Sequence, residues 1–166
     1  MTSKNKELPT LIVDSREGKG AWDFEGDEDF AAIEHTKLDA ADYAIKGLEH
    51  ILVIERKASA DELYINFTKD RERIKAEFER LKSHPFKFII VEATCEDVFN
   101  PLRYYINKRK LNRGSPKMPG GVVTSNLIDL MLLNHVQVIF GGDKAQAIAK
   151  RILLRAYELH GKGKLI

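Results

Sequence analysis

At 166 residues the chain is long enough for one domain with a sizeable core and too short for two comfortable ones. Its composition, 43% hydrophobic and 31% charged, excludes global disorder, and apolar runs of only a few residues exclude a membrane-spanning helix. One cysteine, Cys95, excludes an internal disulfide or a cysteine-rich zinc site, and the polar opening Met-Thr-Ser-Lys-Asn-Lys lacks the apolar stretch of a secretory signal. A cytoplasmic or nuclear setting, not secretion, is therefore expected. The net charge of +2 hides a segregation: from Arg16 to Glu34 acids outnumber bases seven to two, whereas Leu102 to Ile128 holds six bases and no acid. Charge runs are often no more than solvated surface, but the second is where a polyanion is most easily held.

In chain order, residues 1–9 read as a flexible tail. Leu11-Ile12-Val13 is a short apolar run that ends in Asp14-Ser15-Arg16-Glu17, a strand followed by charge. The acidic, glycine-containing segment from Gly18 to Asp29 has no period and reads as loop with at most a short helix, and Ile33 to Leu38 reads as a strand. Tyr43 to Ile45 and Ile51 to Lys57 bracket Lys46-Gly47 and should be antiparallel neighbours. Ile51-Leu52-Val53-Ile54 is apolar enough to be buried on both faces, and it runs straight into Glu55-Arg56-Lys57 with no turn residue between. Because side chains alternate along a strand, Glu55 and Lys57 share a face and Arg56 takes the other.

Ser59 and Glu62 form a capping-box pattern, so a helix should run from Asp61 to about Phe67. A second is expected from Asp70 to Lys82, with Ile74, Phe78 and Leu81 on its apolar face. Phe86 to Val91 reads as a buried strand, and Thr94 with Asp97 as the cap of a helix continuing through Tyr105. Residues 107–121, rich in cations and breakers, read as a mobile basic loop. Thr124 to Asn134 is an expected helix and Val136 to Phe140 a strand. Asp143 with Gln146 should cap a last helix carrying Ala145, Ile148, Ala149, Ile152, Leu153 and Ala156 at helical spacing. Strands alternating with helices after a hairpin indicate an α/β fold around one mixed sheet, flanked by helices.

Asp14, Asp42 and Glu55 with Lys57 all fall at strand ends. Carboxylates converging with a lysine make a hard, oxygen-rich site suited to Mg²⁺ or Mn²⁺ and not to zinc. An Asp followed at a distance by Glu-x-Lys is the arrangement of the PD-(D/E)XK nucleases, a weak pattern when it stands alone. The combination is more specific. Val13-Asp14-Ser15-Arg16-Glu17, Asp42-Tyr43, and Val53-Ile54-Glu55-Arg56-Lys57 followed by Asp61 resemble the signature of the XPF-type structure-specific endonuclease domain, V-D-x-R-E, G-D-Y and E-R-K-x-x-x-D. The resemblance continues through Asn66-Phe67, Arg71 and Ile89-Ile90-Val91-Glu92, and more loosely through Val136 to Tyr157.

The resemblance implies that residues 1–166 form a single nuclease domain of restriction-endonuclease-like fold, acting on DNA in repair or recombination, at flaps, forks or junctions. It implies metal ligation by Asp42 and Glu55, with the Arg56 carbonyl as a further ligand, and makes Lys57 the catalytic lysine. Asp14 would bind metal directly or through water, with Glu17 in support. Arg16, Arg56 and Arg71 would hold phosphates or brace the acids. Asp61 would sit at a helix start behind the site, where favourable interaction with the helix N-terminus is the alternative to a catalytic role. Ala41 stands where the signature has glycine and is expected to give up positive φ.

Trp22 reads as a core or lid residue. Many members append a tandem helix-hairpin-helix module, and this chain ends near its last helix. DNA contacts would then fall to the basic loop (Lys108, Arg109, Lys110, Arg113) or to a partner chain, or be absent. Leu127, Met131, Ile148, Ile152 and Leu153 either cover the sheet or form a homodimer or heterodimer interface. A non-cutting DNA-binding or scaffold subunit of the same fold is the alternative function. Neutralising Lys108, Arg109, Lys110 and Arg113 together is expected to weaken DNA binding and to flatten its dependence on salt concentration, read by fluorescence anisotropy across a salt series.

Overall fold

Residues 7–18, 20–68, 70–100 and 120–165 are described by a computed structural model. The aliphatic runs become six strands of one sheet: β1 (Thr10–Asp14), β2 (Ala32–Thr36), β3 (Tyr43–Ile45), β4 (Leu52–Lys57), β5 (Phe86–Val91) and β6 (Gln137–Phe140). Their spatial order is β2-β1-β3-β4-β5-β6, with β3 antiparallel to both neighbours and every other pair parallel. The helices are α1 (Ala60–Thr68), α2 (Arg71–Leu81), α3 (Cys95–Phe99), α4 (Gly120–Asn134) and α5 (Ala145–His160). The fold is thus the expected α/β arrangement of a mixed sheet flanked by helices.

The pleat divides the core in two. Ile12, Ala44, Val53, Ile89 and Val91 pack with α1, α2 and α4 through Leu63, Phe67, Ile74, Phe78, Leu81 and Leu127. Leu11, Val13, Tyr43, Ile45, Leu52, Ile54 and Ile90 pack against Ala145, Ala149, Leu153 and Ala156 of α5 and against Trp22, Phe24 and Phe30. Trp22 and Phe24 come from the acidic segment and Phe30 follows it directly, so the segment stays irregular but is anchored by aromatics. Lys150 of α5 holds it further, with Nζ 2.6 Å from both Asp27 and Asp29.

Several expectations are corrected by tertiary context. Helix α3 stops at Phe99, with Asn100 outside helical geometry, because Pro101 follows and disfavours the α conformation in the residue before it. Its Thr94–Asp97 capping box is present as expected. Gly120 and Gly121, assigned to the basic loop by composition, open α4, while residues 101–119, including Lys108, Arg109, Lys110 and Arg113, lie outside the described residues. Asp143 does not cap the last helix. It sits in a single 3-10 turn (Gly142–Lys144) with its carboxylate on Lys144, and Gln146 donates to the Asp23 carbonyl instead. Gly141 enters that turn so closely that a Cβ would lie 2.6 Å from Ala145 Cα. At the other end of the chain Pro9 is already buried and accepts from Ala31 N, so the tail is shorter than composition suggested.

Leu127 and Leu153, placed on a candidate dimer surface by sequence, are core residues at 3% and 0% exposure. Among the described residues, the apolar side chains that α4 leaves to solvent are Ile128, Met131, Leu132 and Leu133. Leu153→Ala is expected to lower unfolding free energy by about 2–5 kcal/mol. Leu133→Ala should change it by no more than ~0.5 kcal/mol. Urea unfolding followed by circular dichroism separates the two.

Candidate active site

Asp42 is fixed through its main chain before its side chain matters. Its N–H donates to Ile54 O of β4 at 3.0 Å, and its carbonyl accepts from Asp14 N of β1 at 2.8 Å. The β3–β4 register pairs Tyr43 with Ile54. Asp42, one residue beyond that pair, still donates to Ile54 and not to Glu55, so the chain departs from the regular ladder here and leaves Asp42 at the strand end, within electrostatic reach of Glu55. The approach is made by Ala41 at φ +64°. The expectation that alanine would abandon the left-handed conformation is therefore corrected: the two-sided anchoring of Asp42 imposes it on a residue with a Cβ.

Asp42 Oδ2 accepts Arg56 N–H at 2.7 Å, and Glu55 Oε1 lies 2.5 Å from Lys57 Nζ. Among the described residues no hydrogen bond reaches Asp42 Oδ1 or Glu55 Oε2. Burial pushes the Asp42 carboxyl up to about 7, against the opposing pull of Arg56 N–H and the Lys57 charge. Burial likewise raises Glu55 well above the carboxylate range, although Lys57 beside it favours the charged form. Burial alone would discharge Lys57, yet Glu55 and Glu77 outweigh it and hold the ammonium more firmly than in an ordinary lysine.

Lys57 is 3% exposed, with Glu77 Oε1 at 3.2 Å and Glu62 Oε1 at 3.9 Å. Glu55 and Glu77 thus share one buried ammonium, with the desolvated Asp42 within electrostatic reach of both Glu55 and Lys57. That surplus of desolvated carboxylate is what a divalent cation would relieve, so the residues fit one. Asp42 and Glu55 would hold it. No group of three or more acidic, histidine or cysteine side chains converges on a metal position among the described residues. Two carboxylates completed by water and by substrate phosphate are the usual way Mg²⁺ is held.

The remaining sequence-derived residues support these. Asp14 gives Oδ1 to Arg16 N and Nε (2.7 and 2.8 Å), and Oδ2 to Arg16 Nη2 and Leu38 N (2.8 and 2.7 Å). Burial would raise this carboxyl, but those hydrogen bonds more than reverse the effect and lower it. Asp14 and Arg16 form a closed pair that ties the end of β1 to the segment after β2. Arg56 points to the opposite face from Glu55 and Lys57. There Glu92 Oε1 accepts its Nε at 2.6 Å and Glu17 Oε1 its Nη1 at 3.1 Å, and the guanidinium lies 5.8 Å from the Trp22 ring centroid. Trp22, 7% exposed, also donates Nε1 to Glu92 and stacks on Tyr43, which makes it core. Asp61 lies in the first turn of α1, whose N-cap is Ser59 with Oγ accepting from Glu62 N. The Arg71 side chain lies outside what is described.

Sequence reading missed Glu77 and gave Glu92 no role. For Glu77 a signal existed, because it falls three residues after Ile74 and four before Leu81, inside the apolar stripe of α2.

No family model matches the sequence, and no curated protein does. Solved structures do match. The fold is that of XPF from Aeropyrum pernix. That structure superimposes with a TM-score of 0.58 at 22% identity, covering 89% of this chain and 60% of the other. XPF from the same organism in complex with DNA gives 0.60 at 19% identity, covering 90% and 65%. The chain therefore spans less than two thirds of the length of either XPF chain, and at such identity the likeness is one of fold.

Positive φ at a residue with a Cβ costs about 1–2 kcal/mol, part of which glycine gives back as chain entropy. Ala41→Gly is expected to raise the unfolding free energy by about 1 kcal/mol, seen as a higher urea midpoint at unchanged slope.

Proposed function

We propose that the chain is a Mg²⁺- or Mn²⁺-dependent DNA endonuclease that hydrolyses phosphodiester bonds in flap, fork or other junction DNA. The observation that carries this reading is that Asp42 and Glu55 meet at neighbouring strand ends, both desolvated and within electrostatic reach of each other, with the buried Lys57 ammonium against Glu55. The XPF-like fold and its structure with DNA support the choice of substrate.

Asp42 and Glu55 hold the cation, with the Arg56 carbonyl as a further candidate ligand. When bound, the cation polarises a phosphodiester oxygen and acidifies the attacking water. Lys57, held as an ammonium, orients that water and offsets the charge that develops on the phosphoryl oxygens. Asp14 with Arg16, and Arg56 with Glu92 and Glu17, brace the strand ends and leave Glu55 and Lys57 on the other face free to act. Among the described residues no helix is long and apolar enough to cross a membrane.

Labelled flap, fork, nicked and linear duplex DNA, incubated with Mn²⁺ or with EDTA, test the proposal. Cleavage by the wild type is expected with Mn²⁺ and none with EDTA. Lys57→Ala should lose about 10²-fold or more in rate. Asp42→Asn should lose both cleavage and Mn²⁺ binding by calorimetry. Equal background from wild type and Lys57→Ala would leave a non-cutting DNA-binding subunit as the reading.

A further inference from the structure

The buried face of α2 carries one charged residue that the proposed chemistry leaves unexplained. Ile74, Phe78 and Leu81 meet the core at 2%, 5% and 0% exposure, and Glu77 lies among them at 8%. A carboxylate at such a position is destabilising unless its charge is matched. Glu77 Oε1 is 3.2 Å from Lys57 Nζ. Its other oxygen lies 3.5 Å from Arg73 Nη1, one turn earlier on α2. Arg73 Nη2 donates in turn to Asn66 Oδ1 of α1 at 2.7 Å, and Asn66 is 2% exposed. A polar chain thus runs from the lysine at the sheet edge through α2 to α1.

Resting on the nuclease reading, we propose that Glu77 is the positioning residue for Lys57, fixing the ammonium from the helix side. The need for it follows from Glu55. In the structure Glu55 is the closest partner of Lys57, at 2.5 Å. A carboxylate that ligates a divalent cation gives up much of its charge to that cation, and its hold on the lysine weakens. Glu62 cannot take over. It stands 3.9 Å away, is 40% exposed, and already accepts Ala58 N at 2.8 Å. A lysine stem has four rotatable carbons, so an ammonium held by one weakened partner would sample several positions. Glu77 removes that freedom. Arg73 and Asn66 fix Glu77 in turn, as outer partners do for the groups around a metal.

The test uses Glu77→Gln, which keeps the shape and removes the charge, and Glu77→Asp, which keeps the charge. In single-turnover and steady-state cleavage with Mg²⁺, Glu77→Gln is expected to lower kcat roughly 10- to 100-fold. KM and the Mg²⁺ concentration for half-maximal rate should stay within about twofold. Glu77→Asp should recover part of the loss. In parallel, protein carrying ¹³Cε,¹⁵Nζ-lysine reports Lys57 by NMR, its signal assigned by its absence in Lys57→Ala. With saturating Mg²⁺ the wild-type Lys57 signal should lie apart from the surface lysines, move towards them in Glu77→Gln, and stay apart in Glu77→Asp. An unchanged kcat in an active enzyme, a loss that follows KM or Mg²⁺ affinity, or a Lys57 signal indifferent to Glu77→Gln overturns the assignment. If the wild type cuts no substrate, the nuclease reading fails by itself and the NMR arm still decides whether Glu77 holds Lys57.

Discussion

Asp42 is anchored by its backbone to strands on both sides, to Ile54 of β4 and to Asp14 of β1, and the site is built outward from that double anchorage. It requires a strand inserted antiparallel between two others, and β3 fills the place with three residues, all buried. Because β3 runs against its neighbours, its N-terminal end meets the C-terminal ends of β1, β4 and β5 at one edge of the sheet. The charged residues that follow or precede these strands, Asp14, Asp42, Glu55 to Lys57 and Glu92, are gathered there by topology alone. Residues up to 78 positions apart in sequence become neighbours without any long loop having to fold over the site.

The pleat then sorts those charges into two electrostatic environments. On the side of Trp22, the Arg56 guanidinium sits between Glu92 and Glu17, so positive charge is already matched and the group is immobilised. On the side of α1 and α2, Glu55 and Glu77 share the single Lys57 ammonium, and carboxylate is in excess. The two sides lie within a single strand, at consecutive residues of β4. A shift of register by one residue would exchange them and place the arginine among the buried acids. The four-residue apolar run before Glu55 is what prevents it, since Val53 faces one core and Leu52 with Ile54 the other.

Much of this was legible in sequence because it depends on short-range pattern. Period-two alternation in β4 gave the opposed faces of Arg56 and Lys57, the turn at Lys46-Gly47 gave the β3–β4 pairing, and Ser59 and Thr94 marked their helix starts. What failed or stayed open was set from a distance. Asp143 has the right spacing to cap α5, but it lies in a 3-10 turn that the missing Cβ of Gly141 permits, with its carboxylate on Lys144. Leu127 and Leu153 belong to apolar stripes from which periodicity cannot say whether sheet or solvent is opposite. Ala41 was read by residue preference, and the hydrogen bonds of Asp42 overrode that preference. Asp14 carries the strand-end signature of a ligand, yet its two oxygens are engaged by Arg16 and by Leu38, 24 residues away in sequence.

Two unfavourable features lie in the supports of this site. Ala41 holds positive φ immediately before Asp42. The other positive φ at a residue with a Cβ among those described, at His135, directly follows the last turn of α4, where a left-handed residue commonly ends a helix. Asn66 turns its oxygen to Arg73 and leaves Nδ2 buried without a hydrogen-bond partner among the described residues. A buried unpaired amide costs about 1–3 kcal/mol, comparable to the backbone strain at Ala41. Neither would persist if local stability alone determined these positions, because a glycine at 41 and a small apolar residue at 66 would relieve them. Each fixes a charged group of the site from behind, Ala41 by directing Asp42 into the sheet edge and Asn66 by directing Arg73 towards Glu77. At both positions the unfavourable feature accompanies the placement of a charged group, as expected where geometry at a reactive centre is kept at the expense of stability around it.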